Sequence, residues 1–127
     1  MSTNQEQEVL KTITDWNDHF AHNRIEEYFR FLSDDVTLFI GSSPYRIDGI
    51  AKDREEFEYS LGQGWTKVGY FQMLQIDIRV YGDTAVATYH TRGSYGEVPK
   101  VLYVKETNVL VKKNEAWKIV HIHVTPL

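Results

Sequence analysis

The chain contains no cysteine, which excludes a disulfide framework, a thiolate metal site and a cysteine nucleophile. It has three prolines and no low-complexity tract, so nothing in it reads as a linker. It lacks a basic excess: fourteen Lys+Arg against eighteen Asp+Glu leave a net charge of −4. No overall positive field draws nucleic acid or an anionic membrane, and neither is expected as a partner. No stretch approaches the roughly 20 consecutive apolar residues of a membrane span. The opening residues 1–8 are polar and acidic, where a secretory signal needs a basic start and an apolar run. A cytoplasmic protein is therefore expected.

What is present suits one domain over residues 1–127. Of the 127 residues, 42% are hydrophobic and 13% aromatic, enough to fill the interior of a chain this long. Val9, Ile13, Trp16 and Phe20 recur at helical spacing and predict a first helix. Asn23 and Glu26 have the form of a capping box opening a short second helix with Ile25, Tyr28, Phe29 and Leu32 on one side. Val36 to Ile40 and Tyr45 to Ile47 read as a hairpin around Gly41 and Pro44. A third helix runs from Ile50 to Leu61. Four β-rich segments follow, Tyr70 to Tyr81, Thr84 to Tyr95, Val101 to Lys113 and Trp117 to Thr125. Their connections are too short for crossover helices, which predicts an antiparallel meander. Three helices followed by one sheet is an α+β layer fold. Strands this long must curl, and a curled sheet with helices across its mouth encloses a cavity.

Three segments carry a family resemblance across the whole chain: Asp34-Asp35-Val36-Thr37 opening the first strand, Gly82-Asp83-Thr84-Ala85-Val86 opening a later one, and Trp117-Lys118-Ile119-Val120-His121-Ile122-His123 near the end. The pattern resembles the SnoaL-like group of the nuclear transport factor 2-like superfamily. Within it, the sequence looks most similar to the association domain of calcium/calmodulin-dependent protein kinase II. The resemblance implies a cone-shaped, cystatin-like α+β fold, with three N-terminal helices packed on a strongly curved, mostly antiparallel sheet. It also implies a pocket between sheet and helices and a homodimer formed through the convex face. It does not imply one activity. In the ketosteroid isomerase branch a base late in the first strand abstracts a proton, and a tyrosine on the first helix helps hold the oxyanion. Here Ile40 and Trp16 stand in those places, and an aliphatic side chain accepts no proton. The kinase association domains carry pocket arginines. Arg92 stands at one such place, whereas Asn108 and Val124 stand at two others.

Taking the Arg92 side of each strand as inward places His90, Arg92, Glu106 and Asn108 on one face of an apolar cavity. An imidazole, a cation, a carboxylate and an amide together are what orienting a polar ligand requires. An equally open reading pairs Arg92 with Glu106 as a structural ion pair across adjacent strands, capped by His90. Trp16 and Trp65, the latter beside Gly62 and Gly64, would form lid and wall of the pocket. Alternation puts Trp117, Ile119, His121 and His123 on the convex face, as a dimer interface. His121-x-His123 has metal-ligand spacing, but no carboxylate is placed to complete a set. Asp15, His19 and His22 read as a solvated helix face. No metal and no cofactor are expected.

The expected function is therefore the binding of a small, partly apolar organic molecule by a homodimer. The alternatives are a cofactor-independent isomerase, dehydratase or cyclase using His90 or Glu106 as general base, and an assembly module. No catalytic residue is assigned.

Overall fold

The computed structural model describes residues 3–41, 43–62, 68–96 and 100–127. Helix α1 (Asn4–Ala21) is capped by Thr3, whose side chain accepts from the Glu6 amide at 3.1 Å. Val9, Ile13 and Trp16 form its buried stripe, at 0%, 0% and 3% exposure. Each such side chain contributes about 1.5–3 kcal/mol by leaving water, so this stripe anchors the helix.

Helix α2 (Ile25–Arg30) starts differently from the capping box the sequence suggests. Its N-cap is Arg24, with no side-chain hydrogen bond. Asn23 instead adopts a left-handed conformation, φ 56°, in the turn that closes α1. Strand β1 (Leu32–Phe39) follows at once, starting earlier than its apolar run suggests, and pairs antiparallel with the short β2 (Ile47–Asp48). Helix α3 (Ile50–Gly62) precedes β3 (Val68–Tyr81), β4 (Thr84–Tyr95), β5 (Lys100–Lys113) and β6 (Ala116–Pro126).

The six strands lie in the order β2-β1-β6-β5-β4-β3. The last four form the antiparallel meander, and β1 runs parallel to β6. All three helices contact the sheet or its short hairpin, α1 across β3, β4 and β6, and α2 and α3 at β1. The inner, helix-covered face carries Ala85, Ala87, Tyr89 and Thr91 on β4, Asn108 and Leu110 on β5, and Val36 and Leu38 on β1, all buried.

Two β-bulges decide which side chains reach that face. On β3, Leu74 pairs with His90 and Asp77 with Thr88, leaving one residue extra, and Gln75 has φ 53°. On β6, His121 pairs with Val109 and Ile119 with Leu110, so Val120 is the extra residue. A bulge shifts the alternation by one. Trp117 and Ile119, before Val120, therefore point inward at 7% and 0% exposure, while Ile122 is inward again after it. This corrects the expectation that Trp117 and Ile119 belong to an interface: both are filled into the chain's own core. No described helix is long and apolar enough to cross a membrane.

Candidate functional site

Side chains from α1, β4 and β5 meet in a polar cluster inside the apolar interior. Register brings Tyr89 opposite Glu106 and Ala87 opposite Asn108. The Tyr89 hydroxyl lies 2.5 Å from Glu106 Oε2 and 2.7 Å from Asn108 Oδ1, and Asn108 Nδ2 donates to Glu106 Oε2 at 2.9 Å. From α1, Asn17 Nδ2 donates to the Tyr89 hydroxyl at 3.1 Å and to the Ile13 carbonyl at 2.9 Å.

Counting protons fixes the state of this cluster. A phenol has one proton, yet Tyr89 meets two oxygen acceptors. Turning the Asn108 amide end for end only moves the conflict to Asn108 and Glu106. A proton on Glu106 closes the count: Glu106 Oε2–H donates to Tyr89, and Tyr89 donates to Asn108 Oδ1. The electrostatics agree. Burial pushes the Glu106 carboxyl above the ordinary carboxylate range, against the opposing pull of Tyr89 and Asn108. Burial, then the Glu106 charge, raises the Tyr89 phenol well above its usual value. A buried charge without a partner costs more than a neutral acid that completes its hydrogen bonds.

All the hydrogen bonds of Glu106 among the described residues run through Oε2, which leaves Oε1 for another group. Glu106 and Tyr28 keep part of their surface accessible although burial is the first cause of the raised pKa of each. That combination is expected of side chains lining an interior hollow. Trp16, stacked on Tyr28 with ring centroids 5.0 Å apart, has a buried Nε1 with no hydrogen-bond partner. Phe57 and Phe29 lie 5.5 and 5.2 Å from Tyr28 and extend the aromatic wall.

Glu106 and Asn108 are therefore brought together, and Trp16 joins the same interior through its stack on Tyr28. His90 and Arg92 are not, because the inner face of β4 belongs to Ala85, Ala87, Tyr89 and Thr91. Arg92 stands opposite Tyr103 on the outer face and donates to Gln72 at 2.7 Å, so it forms neither a cluster nor an ion pair with Glu106. His90 lines a separate outer hollow of about 300 Å³ with Leu74, Gln75, Thr91 and Tyr103. Trp65 lies outside the described residues. His121 and His123 are on the outer face as expected, around Phe39 at 5.7 and 5.4 Å, and Thr37 Oγ1 lies 2.7 Å from His121 Nδ1. Among the described residues no three His, Asp or Glu side chains are grouped to hold a metal ion.

Sequence reasoning missed Tyr89, Asn17, Tyr28 and Asp53. The sign for Tyr89 was the run of small residues Ala85 and Ala87 at alternate positions, which a helix can approach closely. Asp53, on α3, is 4% exposed, and burial followed by the Glu56 charge pushes its carboxyl up to about 6. An open groove of about 360 Å³ between α1 and β3 touches the cluster through Asn17.

No curated protein matches the chain. Among solved structures, it is similar to the CaMKII hub of S. rosetta (TM-score 0.83, 20% identity, 100% of each chain covered). It is also similar to a nuclear transport factor 2-like protein of unknown function from Pseudomonas putida KT2440 (TM-score 0.86, 21% identity, 98% of this chain and 88% of that one). A third similar structure is a cystatin-like protein of unknown function from Nostoc punctiforme PCC 73102 (TM-score 0.83, 12% identity, 100% of this chain and 94% of that one). These likenesses establish the expected α+β fold. The profile of the SnoaL-like domain matches residues 9–126, nearly the full length, and the chain belongs to the SnoaL-like family.

Proposed function

We propose that this protein binds a small, partly apolar organic molecule in the interior between helices and sheet. Its hydrogen-bonding end meets Glu106 Oε1 and Trp16 Nε1, and its apolar part lies against the Tyr28 and Phe57 rings. The observation that carries this reading is the buried Trp16 Nε1, which has no hydrogen-bond partner among the described residues, in an interior where the Tyr89–Glu106–Asn108 network leaves Glu106 Oε1 unused. An unpaired buried polar group costs about 1–3 kcal/mol, and a ligand hydroxyl that accepts from Trp16 Nε1 and donates to Glu106 Oε1 relieves that cost. Burial makes Glu106 hold its proton more tightly than an ordinary carboxylic acid does, which supports binding over general-base chemistry there. The test is thermal stabilisation by a panel of small alcohols and primary amides. Hits should lose their effect in Glu106→Leu, which removes the Oε1 acceptor, and in Trp16→Phe, and hits indifferent to both substitutions would contradict the interior site.

A second reading, self-association through the outer face, is supported by Phe39, Val101 and Tyr103, which are 43%, 49% and 48% exposed. Similarity to a kinase hub points the same way. Light scattering on the full chain tests it: a monomer at high concentration would contradict it.

A further inference from the structure

The interior holds a second carboxyl that the hydrogen-bonded network does not use. Asp53 projects from α3 with Phe57 one turn later on the same side. It is 4% exposed, and its Oδ2 has no hydrogen-bond partner among the described residues. Among the described residues no lysine or arginine pairs with it. Its neighbour Arg54 instead bonds Glu26 at 2.9 Å, with the guanidinium 4.4 Å above the Phe29 ring. The Tyr28 phenol feels both Asp53 and Glu106, which raise its pKa after burial. Tyr28 is thus within electrostatic reach of both carboxyls, and Trp16 with its unpaired indole N–H is stacked upon it. An aromatic wall of Trp16, Tyr28, Phe29 and Phe57 beside a buried, uncompensated carboxyl is the chemistry that receives an organic cation.

We propose that the ligand of this interior is a small organic ammonium carrying a hydroxyl: the ammonium lies between Asp53 and the faces of Tyr28 and Phe57, and the hydroxyl accepts from Trp16 Nε1 and donates to Glu106 Oε1. The inference rests on the interior-binding reading above and names its ligand class. A carboxylate ligand is disfavoured, since two carboxyl groups and no interior cation among the described residues would face it. The ammonium supplies the charge that Asp53 lacks, and its apolar substituents take the ring faces.

The test uses three probes of one shape on the full-length chain, by calorimetry near neutral pH: choline, its uncharged carbon isostere with a tert-butyl group in place of the trimethylammonium, and the tert-butylacetate anion. Choline should bind at least about tenfold more tightly than the isostere, as expected for a desolvated cation on aromatic rings, and the anion should bind least. Asp53→Asn, similar in shape and free of the buried charge, should bring the choline-to-isostere ratio close to one, and Phe57→Leu should reduce it. Equal binding of choline and isostere by the wild type, or an unchanged ratio in Asp53→Asn, would overturn the ammonium assignment. If those results came with binding still lost in Glu106→Leu, the interior-binding reading would stand. If none of the probes bound, or if binding ignored Glu106→Leu, both would fall.

Discussion

Tyr89 and Glu106 face each other across β4 and β5 with oxygens 2.5 Å apart, and the pair is shielded by an apolar core on the helix side. Their contact links α1 to the sheet, because Asn17 reaches the same hydroxyl. The polar centre of the interior is therefore also a joint of the fold.

Removing the Tyr89 hydroxyl leaves Asn17, Asn108 and Glu106 without a shared partner. Tyr89→Phe should destabilise the protein by about 1–3 kcal/mol, read as a lowered urea midpoint. A stability equal to the wild type would mean that the network carries no load.

Asp53 gives a pH signature. Its carboxyl is raised from 3.8 to about 6, by burial first and the Glu56 charge second, so the folded state holds this proton more tightly than the unfolded one. The resulting stability is fully present below about pH 4 and is lost as pH rises through 6. It amounts to roughly 3 kcal/mol at about 1.4 kcal/mol per pKa unit. The stability difference between wild type and Asp53→Asn should therefore change across pH 4–7, with the wild type losing ground at the upper end. A difference independent of pH would refute the burial argument.

Gly93 lies on the inner side of β4, where a Cβ would come 2.8 Å from the Tyr70 carbonyl oxygen and 3.2 Å from the Tyr95 ring. The carbonyl cannot withdraw without disturbing the strand. Gly93→Ala should cost about 1–3 kcal/mol, measured by chemical unfolding.

Arg92 and His90 supply the control. Both sit on the outer face, so Arg92→Ala and His90→Ala should leave interior binding of any hit unchanged, whereas Glu106→Leu should not. Comparable losses in all three would contradict the face assignment.

How far the sequence reveals this arrangement depends on parity. The helical stripe of Val9, Ile13 and Trp16 and the tight turns at Gly82 and Asn114 are local signals, and they mark the elements and the meander well. Glu106, Asn108 and Leu110 also alternate simply, so their face is legible. The β4 face is not, because Ala85, Ala87, Thr91 and Gly93 are small and weakly apolar, whereas Val86 on the other side looks like core. What buries them is the close approach of α1, a tertiary fact. On β6 the apolar run Trp117 to Val124 shows no break in its pattern, yet the extra residue Val120 divides it between faces. Asp53 sits among charged helical neighbours, and nothing local separates a buried aspartate from solvated ones.

The measurement that reaches the central claim most directly is the indole N–H resonance of Trp16 in a nitrogen-15 spectrum during titration with a binding probe. Interior binding predicts that this resonance shifts as its unpaired N–H gains an acceptor, while that of Trp117, already bonded to Glu8 at 3.2 Å, stays in place. Saturable binding that leaves the Trp16 signal unmoved, with shifts confined to the α1–β3 groove or the outer face, would contradict it.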